Sequence, residues 1–253
     1  MEIRPLTLPV GPERTIQASL GVPRSTTMDG VLVLAHGANN NMDQPLLKGL
    51  HERLAQAGLV TVRFNFPYAE AGRKWPDPDE ALEGVFRLVL EYVAEMDEFK
   101  GLELYLGGKS MGARLAAQIV ANDVGASGLV FLGYPLHPPG KPEKLRDQPL
   151  YQLPCPALFI VGARDPFCRM DLLGKVLGQM PVRSDLHVLP GLGHSFDSGG
   201  HPMTPEVLAQ MPVRSDLHVL PGLGHSFESG GHAMAPEVLA QITGVILGWL
   251  ESL

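Results

Sequence analysis

Between residues 102 and 117 the chain passes from five strand-like residues, through Gly107-Gly108-Lys109-Ser110-Met111-Gly112, straight into a helix-forming run over 113–120. A G-x-S-x-G pattern set between a strand and a helix forces its serine onto a sharp turn with the hydroxyl exposed. Glycines must flank that turn, because side chains there would collide with the neighbouring strand and helix. The helix start directly behind Ser110 also offers unpaired backbone N–H groups to a developing anion. A chain built around this stretch needs a parallel sheet on one side and a helix layer on the other.

The remaining sequence supplies both. Residues 3–8 and 14–22 read as an edge hairpin turning over 9–12. Val31-Leu-Val-Leu-Ala35 is a continuous apolar run, as expected of a strand buried on both faces, and it ends in the polar loop His36-Gly-Ala-Asn-Asn-Asn41. A helix over about 44–57 carries Leu46, Leu47, Leu50 and Leu54 on one stripe, and another over 80–98 is apolar at 82, 85, 86, 89, 90 and 93. Between them come a strand at 60–64 and a Pro-rich loop over 65–79. Beyond the serine turn, strands at 129–132 and 157–161 flank a Pro- and Lys-rich connection over 134–156, and a helix follows over about 170–180. Strands alternating with helices imply a doubly wound, mostly parallel α/β sheet in one domain, with helices on both faces. Ligands bind such sheets beyond the C-terminal ends of the strands, where Ser110, the 36–41 loop and Asp165 all fall. The 134–156 connection is too short for a large lid domain, so an open site follows.

The overall numbers narrow the function. The 253 residues are 45% apolar and 19% charged, as in ordinary soluble proteins, and the net charge of −7 gives no reason to expect nucleic acid or anionic membrane as a partner. No apolar run is long enough to span a bilayer, and the N-terminus lacks the pattern of a secretory signal. Two cysteines, Cys155 and Cys168, without metal-ligand spacing fit a reduced, cytoplasmic setting.

Residues 179–209 and 210–240 are nearly the same sequence written twice, differing at an offset of 31 only at Asp197/Glu228, Pro202/Ala233 and Thr204/Ala235. Each copy reads as strand, turn and helix. Two copies do not make a solenoid, so the pattern reads as a tandem duplication of one strand–loop–helix unit. The spare copy has three places open to it: the sheet edge, a loose appendage, or pairing with a second molecule as a homodimer.

A hydroxyl is a poor nucleophile at neutral pH and needs a neighbouring base, for which histidine suits. A carboxylate must then hold the imidazole in the right tautomer, and Asp165, at the tip of its strand, is placed for that. The repeat leaves two candidate histidines, His194 and His225. The first follows Asp165 through a single helix, which favours His194. The second is followed by residues 242–253, which lengthen its helix into an apolar C-terminal helix, and this favours His225. A unit displaced by one strand spacing of about 4.8 Å would leave its histidine out of reach, so His194 ranks first. The oxyanion would be held by the backbone N–H groups of Met111 and Ala38.

The stretches His36-Gly-Ala-Asn-Asn-Asn-Met-Asp43, Arg63-Phe-Asn-Phe-Pro-Tyr68, Gly107-Gly-Lys-Ser-Met-Gly112, Gly133-Tyr-Pro-Leu-His-Pro-Pro-Gly-Lys-Pro142, Gly162-Ala-Arg-Asp-Pro-Phe167 and Gly193-His-Ser-Phe196 together resemble the α/β-hydrolases. More narrowly, the chain is similar to the dienelactone-hydrolase-related small bacterial branch, which also resembles testis-expressed hydrolase-like proteins. That resemblance implies an α/β-hydrolase fold, a Ser/Asp/His triad in this chain order, no metal and no organic cofactor. Dienelactone hydrolases use cysteine as nucleophile, so Ser110 argues against that substrate. A carboxylesterase acting on small or medium acyl esters is expected, the alternative being a non-catalytic hydrolase-fold protein that acts as an interaction module. Asn39, Tyr68 and Tyr134, with Trp75, are expected to line the substrate. His36 is expected to support its loop, His137 to lie at the surface, Lys109 to be solvated and Cys168 to pack as a small hydrophobe.

Overall fold

The computed structural model of the chain describes residues 1–196, 218–219 and 234–253. At its centre lie strands that are apolar along most of their length. β3 (Gly30–Ala35), β4 (Val60–Phe64), β6 (Gly128–Leu132) and β7 (Ala157–Gly162) are buried at every position. Strands of this kind need helices on both faces. With β1 (Glu2–Gly11), β2 (Arg14–Val22), β5 (Glu103–Lys109), β8 (Ser184–Leu189) and β9 (His218–Val219) they form one sheet, in the order β1-β2-β4-β3-β5-β6-β7-β8-β9. β2 pairs antiparallel with both β1 and β4, and every other neighbouring pair is parallel. The first hairpin turns at Pro12-Glu13 rather than over 9–12, because pairing continues through a register shift to Gly11 opposite Arg14.

The helices are α1 (Pro45–Gln56), the one-turn α2 (Pro67–Glu70), α3 (Asp79–Glu95), α4 (Met111–Asn122), α5 (Met170–Leu177) and α6 (Pro236–Glu251). Successive strand residues point to opposite faces, and the core divides accordingly. Val31, Val33, Leu106, Phe131 and Phe159 pack with α3, α4 and α5, while Leu32, Leu34, Val130, Leu132 and Ile160 pack with α1 and α6. α1 and α6 approach closely, since a Cβ at Gly49 would strike Leu239. The 134–156 connection carries only a 3-10 turn, Gln148–Gln152, and no large lid occurs among the described residues.

Both copies of the repeat contribute to this architecture. β8 comes from the first copy and β9 from the second, and they pair in parallel with His187 opposite His218 and Val188 opposite Val219, the register that the offset of 31 dictates. α6 begins in the second copy and runs to Glu251, burying Val238, Leu239, Ile242, Ile246, Trp249 and Leu250. Strand order reverses between β3 and β5, so the open end of the sheet beside these two strands is where a ligand belongs.

Candidate active site

Ser110 stands at that switch point, between the end of β5 and the first residue of α4. Its φ of 52° and ψ of −110° lie outside the ordinary regions for a residue with a side chain. Such strain persists only where the surroundings over-determine it. A Cβ at Gly108 or Gly112 would strike the carbonyl oxygen of Ala35, and one at Gly107 that of Val130, so strand and helix close on the turn from both sides. The Ser110 N–H donates to Leu132 O at 3.0 Å, and its carbonyl accepts from Arg114 N at 3.1 Å. The backbone is thereby locked and the side chain left half-buried, facing outward.

The histidine loop reaches this hydroxyl from β8. His194 Nε2 lies 2.8 Å from Ser110 Oγ, and His194 Nδ1 lies 2.7 Å from Asp165 Oδ2. An ionised carboxylate only accepts hydrogen bonds. His194 Nδ1 is therefore the donor to Asp165, which leaves Nε2 free to accept from the serine hydroxyl. The other carboxylate oxygen, Oδ1, accepts from Phe167 N at 2.8 Å, and the Asp165 side chain is fully buried. Phe167 also packs its ring against the imidazole, with centroids 4.3 Å apart. The two loops are stitched together by Arg164 N to Leu192 O at 2.8 Å and Ala163 N to Leu189 O at 3.0 Å. Gly162 lies where any Cβ would strike Leu192 O and Gly193 O. His225, the alternative base, lies outside the described residues.

The loop after β3 closes the other side. A Cβ at Gly37 would come 3.5 Å from Ser110 Cβ, so this loop runs directly past the serine. Ala38 and Asn39 are exposed there, and Asn39 has φ 56°. Met111 is the first residue of α4, where the N–H finds no partner inside the helix. His36 supports the loop: its Nε2 accepts from Phe66 N at 3.1 Å, so Nδ1 carries the proton and donates to Gly37 O at 2.9 Å. Burial pushes its pKa down to about 4, which keeps the ring neutral. Arg63 donates to Met42 O and Asp43 Oδ1 at 2.7 and 2.6 Å, and Asn65 Oδ1 accepts from Met42 N at 2.7 Å. The 36–43 and 63–68 stretches thus interlock.

Four expectations need correction. Tyr68 and Tyr134 are fully buried and form no substrate wall. The Tyr68 hydroxyl donates to Gly37 O at 3.1 Å, and that of Tyr134 to Arg146 O at 2.7 Å, so each ring enters the core with its polar end satisfied. Burial raises the pKa of both phenols, that of Tyr68 to about 12. Lys109 is 3% exposed rather than solvated. His137 is buried as well, with Nε2 accepting from Arg169 N at 3.0 Å and Nδ1 bonded to Pro138 O. Trp75, by contrast, is 83% exposed. Cys168 is packed away, and burial lifts its thiol pKa well above the usual value.

A second serine–histidine contact, Ser19 Oγ to His51 Nε2 at 3.1 Å, has a different character. Both residues are buried, Thr61 Oγ1 occupies His51 Nδ1 at 2.9 Å in place of a carboxylate, and burial lowers the His51 pKa to about 3, with Arg63 adding to the effect. It is a structural link between β2, α1 and β4. A groove of about 560 Å³ between β8 and α6 has Asp185, His187, Gln241 and Trp249 among its lining, but not Ser110, Asp165 or His194. Its polar groups bond one another, Trp249 Nε1 to Asp185 Oδ2 at 2.8 Å and Gln241 Nε2 to His187 Nε2 at 3.1 Å. Among the described residues no three His, Cys, Asp or Glu side chains gather into a metal-binding group, and no helix is long and apolar enough to cross a membrane.

Comparison with known proteins bears on the family and the fold. Residues 28–204 match the family described as "Alpha/beta hydrolase domain". The matched span contains Ser110, Asp165 and His194 and ends before His225. Among solved structures, dienelactone hydrolase from Anabaena variabilis is 21% identical with a TM-score of 0.62, over 78% of this chain and 89% of that one. An α/β serine hydrolase homologue from Coxiella burnetii is 20% identical with a TM-score of 0.62, over 77% and 89%. A lidless α/β serine hydrolase from Xanthomonas campestris is 21% identical with a TM-score of 0.63, over 77% and 87%. At these identities the likeness is one of fold.

Proposed function

We propose a serine carboxylesterase activity for this chain, which belongs to the alpha/beta hydrolase family. The observation that carries this reading is the single imidazole bonded at 2.8 Å to Ser110 Oγ and at 2.7 Å to Asp165 Oδ2. His194 takes the Ser110 proton as Oγ attacks the ester carbonyl. The resulting oxyanion lies between the N–H groups of Met111 and Ala38. His194 then passes its proton to the leaving alkoxide as the ester C–O bond breaks, which leaves an acyl-serine. Water, deprotonated by the same imidazole, attacks the acyl group and releases the carboxylic acid with Ser110 restored. Asp165 stabilises the imidazolium in both halves, and the Phe167 N–H keeps its second oxygen from turning away.

The substrate reading is small or medium acyl esters. The strand ends are open, Asn39 is exposed on the oxyanion loop, and Trp75 is exposed in the loop that follows α2. That loop is tied to the site at both ends, through Tyr68 to Gly37 O and through Asp79 to Arg114 of α4 at 2.5 and 2.9 Å. An apolar ring on that rim suits the acyl or alkoxy group of an ester. Cys155 and Cys168 are free and buried, which suits the reducing cytoplasm.

A fluorophosphonate probe tests the proposal, with the labelled residue identified by mass spectrometry beside p-nitrophenyl acetate and butyrate turnover. Stoichiometric labelling of Ser110, with turnover lost in Ser110→Ala, is the expected result. A folded chain that neither labels nor turns over ester would sink it and leave the interaction module in its place.

A further inference from the structure

Lys109 immediately precedes the nucleophile, yet its side chain is turned inward. Its stem lies against the oxyanion loop, since a Cβ at Gly37 would sit 3.8 Å from Lys109 Cγ. Its ammonium stands 5.2 Å from the centroid of the Phe196 ring, itself 4% exposed. Gly133, at the end of β6, has φ 65°, and a Cβ there would come 2.9 Å from Lys109 Nζ and 3.5 Å from both Asp165 Oδ2 and His194 Nδ1. The ammonium and the Asp165–His194 pair thus border one small space, kept open by the missing side chain of Gly133.

Phe196 is where the histidine loop is under strain. Its φ of 60° is unfavourable for an aromatic residue, and its N–H closes a tight turn onto Gly193 O at 3.1 Å, with His194 inside that turn. A strained conformation lasts only if something holds it. A cation over the ring face, out of water, is such a hold.

We infer that Lys109 is a positioning residue for His194, acting through the Phe196 ring to fix the turn that presents the imidazole to Ser110 and Asp165. The inference rests on the esterase reading above. One side chain thereby links the nucleophile strand, the oxyanion loop and the histidine loop.

The test is a double-mutant cycle in ester hydrolysis. Lys109→Met keeps the length and removes the charge, and should lower kcat about 10- to 30-fold, the size of a desolvated cation–π contact, with KM within about twofold of the parent. Phe196→Leu should cause a similar loss, and the double variant should be no worse than the poorer single. Lys109→Arg, which keeps a cation over the ring, should recover most of kcat. A folded Lys109→Met with kcat within twofold of the parent overturns the inference, as do single losses that multiply in the double variant or an arginine no better than methionine. If Lys109→Met does not fold, Phe196→Leu carries the test alone, and unchanged kcat there overturns it. Turnover by the parent chain comes first: an inactive parent refutes the esterase reading, whereas an active parent with indifferent variants refutes only the role of Lys109.

Discussion

Excising residues 205–235 should leave a folded chain that still hydrolyses esters. The cut joins Thr204 to Pro236 and gives the same protein as removing 211–241, because Pro205-Glu-Val-Leu-Ala-Gln210 repeats as Pro236-Glu-Val-Leu-Ala-Gln241. Ser110, Asp165 and the His194 loop all precede the cut and stay, while the alternative base His225 is removed. The anchors of α6 stay as well, with Leu239 against Gly49, Trp249 Nε1 on Asp185 and Gln241 on His187. The connection into α6 then starts one strand earlier, a displacement of about 4.8 Å; the eight residues 197–204 between the held His194 loop and Pro236, reaching up to about 27 Å, absorb it. What is lost is the β8–β9 ladder at two residue pairs. At roughly 1 kcal/mol for each net backbone hydrogen bond, that is about 2 kcal/mol, or a fall in Tm of about 4–8 °C for a chain this size. Calorimetry measures the fall, and p-nitrophenyl butyrate turnover should stay within about threefold of the parent. A shortened chain that unfolds cooperatively but cannot be labelled at Ser110 would refute the reasoning, because it would mean that the second copy completes the site.

Two further outcomes follow from the same geometry. His194→Ala should reduce turnover by about 10⁴-fold while His225→Ala leaves it within twofold; steady-state kinetics on the pair decides, and the opposite pattern moves the base to the second copy. Acidification should destabilise the fold through His36 and His51. Burial lowers both pKa values, to about 4 and about 3, so the unfolded chain takes up protons near pH 6.5 that the native state refuses. Stability is then full above pH 6.5 and falls as the pH drops below it, by on the order of 3–4 kcal/mol in total between pH 7 and 5. Urea midpoints across that range check it, and a flat profile would contradict neutral, buried imidazoles.

The parts of the fold legible in the sequence are those written in local patterns. Runs such as Val31-Leu-Val-Leu-Ala35 mark strands covered on both faces, and the stripes at 46–54 and 82–93 mark helices that lie on them. The elbow was legible because its glycines are demanded by backbone contacts between β5, β3 and α4, whatever the rest of the chain does. Tyr68, Tyr134, His137 and Lys109 were not legible. Each is a polar or aromatic residue beside a loop, a context that suggests solvent, yet each is buried by a partner distant in sequence: Gly37 O, Arg146 O, Arg169 N and the Phe196 ring. No periodicity announces a hydrogen bond across thirty residues. Phe167 belongs with them; its place two residues after Asp165 was visible, but that its N–H and ring fix both members of the Asp–His pair was not.

The repeat explains why the sequence pointed to two histidines for different reasons. Proximity to Asp165 favoured the first copy, and the long terminal helix favoured the second. In the fold the two copies divide the work: β8 comes from one, β9 and α6 from the other. A parallel sheet accepts an added strand at its edge without parting the strands already paired, and β9 extends the sheet beyond β8 while β7 and β8 remain neighbours. The two copies carry the same strand and histidine loop, so the strand beside β7 presents a histidine to Asp165 whichever copy is counted as the added segment. β9, lying beyond β8, leaves the 2.7 Å between His194 and Asp165 untouched, and the helix that follows closes over the same face of the sheet.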